Sequence, residues 1–205
     1  MSFRRRLSTC MITADVDETR LVHHVERAFA LGVDFVQLRR RERPAREVEA
    51  LAKRLVGLSP GAGAKVLVNG RLDVALSAGA GGVHLPADGL PVAAVRRVAP
   101  PDFVVSRSTH SREAVARAYE EGASFVLFGP VFPTSSKPGH PGVGLEVLAE
   151  VVSSVPIPVY ALGGVTPERI SQIANAGARG IAGISVFERE KSLRALFERL
   201  DRLES

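Results

Sequence analysis

The chain has 205 residues, 45% of them hydrophobic, which suffices for one well-buried core and lies at the short end for an eight-fold β/α barrel. Its longest apolar runs, such as residues 125–128, have the length of a strand, which excludes a membrane-spanning helix. The net charge is +5, but the arginines are scattered over most of the predicted helices and aromatics make up only 5%, which excludes the basic–aromatic surface of a nucleic-acid binder and leaves a solvated surface or an anionic small substrate.

The first residues, Met1 to Leu7, are basic without an apolar signal core, as expected of a cytoplasmic start. Strands are then expected at residues 10–14, 35–39, 65–69, 82–85, 103–106, 125–128, 158–162 and 180–184. They are short and apolar on both alternations, as parallel strands buried on two faces should be. Cys10, the one cysteine, belongs to the first of them; no intrachain disulfide or thiolate metal cluster can form, and a core position is expected.

The segments between strands carry helical spacing. Val48, Leu51, Leu55 and Leu58 form one apolar stripe, and Leu193, Leu196, Phe197, Leu200 and Leu203 another. Asp15 with Glu18 resembles a capping box for the first helix, Ser111 is placed to cap the fifth, and Thr166-Pro167-Glu168 reads as a cap, a proline at the first helical position and an acid in the first turn. Glycine recurs between a helix and the next strand at Gly32, Gly79, Gly122 and Gly177, where a left-handed residue closes a helix. The alternation predicts an α/β chain, a (β/α)8 TIM barrel formed by one domain over residues 1–205. An open doubly wound sheet is disfavoured because Ala14-Asp15-Val16-Asp17 follows the first strand in place of a glycine-rich dinucleotide fingerprint.

In such a barrel the chemistry sits at the C-terminal ends of the strands. After strand seven come Gly163 and Gly164; after strand eight come Gly183, Ile184 and Ser185. Glycines let backbone N–H groups approach an anion, with the following helix N-termini adding to the pull, so these loops are the expected phosphate-binding site, against the plainer reading of tight turns. A long polar loop after strand six brings Thr134, Ser136, Lys137 and His140. Alternation sends Gln37, Arg39 and Arg41 to one side after strand two, where two cations would meet an anion. Asn69 after strand three, and Ser108 and His110 after strand five, complete the polar rim. His110 and His140 are the candidates for acid–base work beside Lys137, whereas His84 within strand four is expected to be a hydrogen-bonded core residue.

Taken in order, the segments Val36-Gln37-Leu38-Arg39, Val68-Asn69-Gly70-Arg71-Leu72-Asp73, Gly82-Val83-His84-Leu85, Arg107-Ser108-Thr109-His110-Ser111, Gly129-Pro130-Val131-Phe132-Pro133-Thr134-Ser135-Ser136-Lys137 and Leu162-Gly163-Gly164-Val165 resemble the thiamine phosphate synthase/TenI family over nearly the whole chain. The synthases of that family join a pyrimidine diphosphate to a thiazole phosphate and release pyrophosphate with Mg²⁺. The resemblance implies that Gln37, Arg39, Arg41 (where a lysine is usual) and Asn69 take the pyrimidine diphosphate. By the same resemblance Ser108 and Lys137 serve the pyrophosphate, while Thr134, Ser136, Gly164, Ile184 and Ser185 hold the thiazole phosphate.

This chain departs from the synthase pattern where that family binds Mg²⁺: Gly70 and Gly89 replace two aspartates, with Asp88 one residue early. The missing acids resemble the TenI-type thiazole tautomerases, which need no metal, although Pro130 stands where those carry a histidine. The expected function is therefore a metal-independent thiazole tautomerase acting on a small phosphorylated thiazole, without cofactor and as a possible homodimer. The alternatives are a divergent thiamine phosphate synthase, which alone would call for Mg²⁺, and a non-catalytic thiazole-phosphate-binding regulator.

Overall fold

The structure is a computed structural model that describes residues 6–61 and 63–203; the first five residues of the basic start, on which the cytoplasmic expectation leans, lie outside the described residues. Eight parallel strands close into a barrel in sequence order, each hydrogen-bonded to its neighbours and β8 back to β1. They are β1 Ser8–Ile12, β2 Phe35–Leu38, β3 Lys65–Asn69, β4 Gly82–Leu85, β5 Val104–Thr109, β6 Phe125–Phe128, β7 Val159–Leu162 and β8 Gly180–Gly183. Around them run α1 Glu18–Ala30, α2 Ala45–Leu58, α3 Leu72–Ser77, α4 Val92–Arg96, α5 Arg112–Glu120, α6 Gly144–Ser153, α7 Ile170–Asn175, α8 Ser185–Glu188 and α9 Glu190–Asp201. The TIM-barrel expectation is thus met, and each strand lies within a few residues of its expected span.

Apolar side chains divide by strand parity into two cores. One fills the layer between strands and helices, with Val36, Leu38, Val66, Val68, Val105 and Val126 facing outward from the barrel. The other is the barrel interior, where Cys10, Ile12, Leu67, Phe125, Leu127, Tyr160 and Ala182 pack together. At the N-terminal end Phe125 lies 4.4 Å from Tyr160 and 5.0 Å from Phe35 between ring centroids, a plug of three aromatics. Cys10 is a core residue, as expected, and burial first, then Asp34, pushes its thiol up to about 12, so it does not act as a nucleophile.

The helix boundaries follow their expected chemistry with two exceptions, Thr166, which makes no side-chain capping hydrogen bond, and the start of the first helix. The four recurrent glycines all have positive φ, from 66° at Gly79 to 88° at Gly32 and Gly122. Ser111 accepts from the Ala114 amide, and Thr166 precedes a short 3-10 turn beginning at Pro167. The first helix, however, is capped by Asp17, which accepts from the Arg20 amide, and not by Asp15. Asp15 is instead drawn to Arg40, whose nearly buried guanidinium also donates to the carbonyls of Ala14 and Val16. An ion pair with these backbone bonds outweighs a cap. The same contacts clamp the loop after β1 and separate Arg40 from its two arginine neighbours.

Candidate active site at the barrel mouth

Interior parity delivers polar side chains to the top layer. In β2 Phe35 belongs to the aromatic plug, so Gln37 and then Arg39 follow on the same inner side, while Val36 and Leu38 pack outward. In β3 the inner residue after Leu67 is Asn69, and in β5 Ser106 leads to Ser108. These side chains open into a cavity of about 630 Å³ at the C-terminal end of the barrel, a size suited to small-molecule ligands. Arg41, His110, Thr134, Ser136 and Lys137 join its wall from the loops after β2, β5 and β6. Gly163, Gly164, Gly183, Ile184 and Ser185 complete it from the loops after β7 and β8.

His140 is the one expected site residue outside this cavity. It faces a shallow hollow on the strand-six loop itself, with Gly139 and Pro141. Its amide donates to the Lys137 carbonyl at 3.2 Å and its Nδ1 accepts from the Gly142 amide at 2.9 Å. The histidine thus supports the turn of its own loop, and its assignment to acid–base work is withdrawn.

Glycine loops and cationic side chains reach the cavity from different strands. At β7 the carbonyls of Leu162, Gly163 and Gly164 are all engaged away from the cavity, with the amides of Val131 and Phe132 and with Arg169 Nη1 at 2.8, 3.2 and 2.6 Å. These bonds fix the β7 loop against the strand-six loop and Arg169. Both glycines have positive φ, 92° and 63°. Arg169, which the sequence reading missed, also stacks 4.3 Å over the Phe132 ring and braces this loop from behind. After β7 a three-residue 3-10 turn runs directly into α7, and after β8 comes the four-residue α8.

Cationic side chains reach the cavity from β2 and, across the ring, from the strand-six loop. Arg39 is partly buried; burial first, and then Arg41, lower its guanidinium pKa, while Asp15 acts in the opposite direction. Gln37 is 2% exposed and its Nε2 has no hydrogen-bond partner, a buried donor awaiting an acceptor from a ligand. Lys137 Nζ stands 3.5 Å from His110 Nε2. His110 Nδ1 contacts the Gly129 carbonyl, which can only accept, so the proton sits on Nδ1 and the lone pair of Nε2 faces the lysine.

His84 is buried and hydrogen-bonded as expected, and it also forms part of the cavity wall. Its Nδ1 lies 2.9 Å from Ser106 Oγ and its Nε2 2.8 Å from Ser108 Oγ, which orients the Ser108 hydroxyl. Burial first, then Arg107 and Arg39, push its pKa from 6.5 down to about 3, so it stays neutral in the folded chain. The unfolded chain takes up this proton between pH 6.5 and about 3, so stability contributed by the neutral imidazole is full above pH 6.5 and is lost as pH falls through that window. Denaturant unfolding at pH 7 and pH 5 is expected to show a loss of up to ~1.4 kcal/mol per pH unit within the window, reduced in His84→Asn.

The same cavity does not present a built site for a divalent cation. Among the described residues no group of three His, Cys, Asp or Glu side chains could hold one. Asp88, after β4, and Glu188, after β8, are the carboxylates on its wall, and three strands lie between β4 and β8 either way round the closed ring of eight, which puts them on opposite sides. Gly70 has a φ of 71°, and a Cβ on Gly89 would lie 3.1 Å from both the Cδ and the carbonyl oxygen of Pro86. Gly70 thus has a left-handed backbone with room for a Cβ, and Gly89 a tight contact with Pro86. Asp73, close in sequence to Gly70, is held by Arg71 in a two-bond pair.

Comparison with known proteins agrees with this geometry. The family model described as thiamine monophosphate synthase matches residues 9–187. A thiamine-phosphate synthase of Methanoculleus marisnigri is 43% identical over 159 residues, 77% of this chain and 75% of that protein. A protein of Aquifex aeolicus, whose name assigns the same activity provisionally, is 45% identical over 163 residues, 80% of this chain and 87% of its own length. Among solved structures, a thiamine phosphate pyrophosphorylase from Pyrococcus furiosus superposes with a TM-score of 0.84 at 31% identity over 98% of both chains.

Proposed function

The chain belongs to the thiamine monophosphate synthase family, and we propose that it is a thiamine-phosphate synthase that joins a pyrimidine diphosphate to a thiazole phosphate and releases pyrophosphate. What supports this reading is the lining of one cavity, where the glycine loops after β7 and β8 and the side chains of Arg39, Arg41 and Lys137 offer donors for two anionic substrates. A tautomerase handles one phosphorylated substrate, whereas a synthase must hold two in one space. The names of the relatives favour the same choice over the tautomerase expected from the sequence.

In this reading the amides of Gly163, Gly164 and Val165, with Ser185, take the thiazole phosphate, and Thr134 and Ser136 lie on the wall beside it. Gln37 Nε2 and Asn69 meet the pyrimidine ring, since an unpaired buried amide donor discriminates for a ring acceptor. A C–N bond forms between thiazole nitrogen and pyrimidine methylene as the C–O bond to the diphosphate breaks, and the leaving group keeps the electron pair. Negative charge then grows within reach of Arg39, Arg41 and Lys137 on the cavity lining, beside Ser108, whose hydroxyl meets His84 Nε2 at 2.8 Å. No step requires a protein base, which suits a site whose buried histidine stays neutral. A cytoplasmic setting accords with this chemistry, because phosphorylated substrates do not cross membranes unaided.

The tautomerase keeps one specific observation in its favour: the glycines at 70 and 89. In it His110, with its Nε2 lone pair toward the cavity, moves the proton. Purified protein supplied with both synthase substrates is expected to release one pyrophosphate per thiamine phosphate formed. Isomerisation of the carboxylated thiazole phosphate without any condensation would reverse the choice. Independently, Ser185→Asp is expected to raise the dissociation constant for the thiazole phosphate at least tenfold by like-charge repulsion, read by calorimetry.

A further inference from the structure

We propose that Arg169 is a positioning residue for the glycine loop after β7: from outside the cavity it holds the Gly164–Val165 peptide in one orientation and ties it to Phe132 on the strand-six loop. This rests on the reading that the β7 loop takes the thiazole phosphate, and adds to it the side chain that keeps that loop in shape.

Gly163 and Gly164 have no side chains with which to anchor themselves, and glycine has the widest choice of backbone conformations. A loop built on such a pair keeps one shape only if its neighbours hold it. Each of three successive carbonyls is held in turn. The Val131 amide donates to the Leu162 carbonyl at 2.8 Å, and the Phe132 amide to the Gly163 carbonyl at 3.2 Å. The Gly164 carbonyl accepts from a side chain instead, Arg169 Nη1 at 2.6 Å. A peptide unit is planar, so fixing the Gly164 carbonyl also fixes the direction of the Val165 amide. Gly163, Gly164 and Val165 line the cavity, whereas Arg169 stays outside its lining and acts through the loop alone.

The arginine is itself fixed from the other side. Its guanidinium carbon lies 4.3 Å from the centroid of the Phe132 ring, a contact that sets the direction of the side chain. A charged donor also bonds a neutral carbonyl more strongly than a backbone amide does. Gly164 is enclosed at this junction: a Cβ there would lie 2.5 Å from the Pro133 carbonyl, 2.7 Å from Phe132 Cβ and 3.1 Å from Arg169 Nη1. The strand-six loop does not depend on Arg169 for its own base, because the amides of Val143 and Gly144 donate to the carbonyls of Pro130 and Val131 at 2.9 and 3.0 Å. Loss of the arginine should therefore release the Gly164–Val165 peptide while the base of the strand-six loop stays in place.

The test is calorimetric titration of the full chain with thiazole phosphate. Arg169→Met, which keeps an unbranched side chain beside the Phe132 ring but removes donor and charge, is expected to raise the dissociation constant about tenfold. Arg169→Lys, which restores a charged donor, is expected to bring it back to within about threefold of the unaltered protein. Arg96→Met controls for a general loss of stability. Arg96 is likewise partly buried and donates to the carbonyls of Gly122 and Phe103 and to Ser124 Oγ at 2.7, 2.7 and 2.8 Å, outside the cavity lining. That variant is expected to unfold at a lower temperature and to bind thiazole phosphate normally. Unchanged affinity in Arg169→Met, no recovery in Arg169→Lys, or an equal loss of affinity in Arg96→Met would each overturn the positioning role and leave the synthase reading standing. No binding of thiazole phosphate by the unaltered protein would overturn both.

Discussion

Lys137→Ala is expected to lower kcat/KM for condensation about 10²–10³-fold while changing thiazole-phosphate affinity less than about twofold. The lysine is held for its task. Its backbone amide donates to the Thr134 carbonyl at 3.1 Å, which turns the strand-six loop inward, and its ammonium meets His110 Nε2. The imidazole in turn is fixed by the Gly129 carbonyl, at the end of β6. The charge that lysine faces is small while the diphosphate is still bonded to carbon and grows as the bond breaks. Its loss should therefore appear mainly in kcat, measured by continuous pyrophosphate release. A fall confined to KM would show that Lys137 binds ground state and transition state alike.

The second large effect is expected at the opposite end. A Cβ at Gly164 would lie 2.5 Å from the Pro133 carbonyl and 2.7 Å from Phe132 Cβ, at a φ of 63°. Gly164→Ala combines left-handed strain of about 1–2 kcal/mol with overpacking of about 1–3 kcal/mol, and it displaces amides that must converge on one phosphate. Thermal unfolding is expected to fall and thiazole-phosphate affinity to drop by about thirtyfold or more, as 2 kcal/mol corresponds to that ratio. Gly79→Ala separates the two causes. Gly79 has φ of 66° with nothing within 4 Å of its Cβ position, so it carries the strain without the clash. That variant should lose about 1 kcal/mol and bind normally.

Much of this site was legible in the sequence because one rule governs it. In a closed parallel barrel, parity fixes which residues look inward, so Gln37 and Arg39 were assigned to the cavity once β2 was placed. The glycine pair after β7 was legible because few other sequences permit positive φ twice in succession. Other features depend on partners distant in sequence. Asp15 has the pattern of a helix cap, but Arg40 lies across the first loop and captures it. His140 has the composition of a site residue, yet the turn from Lys137 to Gly142 closes on it and faces it outward. Arg169 gave no signal, since its role requires the Gly164 carbonyl and the Phe132 ring to converge through folding. His84 was legible as a satisfied core residue, but its place at the cavity wall followed only from the height of its layer in the barrel.

The choice between tautomerase and synthase was not fixed by the motifs, because Gly70 and Gly89 and the strand-six loop point in opposite directions. The relatives turn that balance toward the synthase.

The central claim is that one cavity holds two anionic ligands at once, and simultaneous binding tests it most directly. Thiazole phosphate titrated calorimetrically into protein already saturated with pyrophosphate is expected to bind at one equivalent, with an affinity close to that for the free protein. Mutually exclusive binding, in which saturating pyrophosphate abolishes the thiazole-phosphate signal, would show a single anion site and contradict the synthase account.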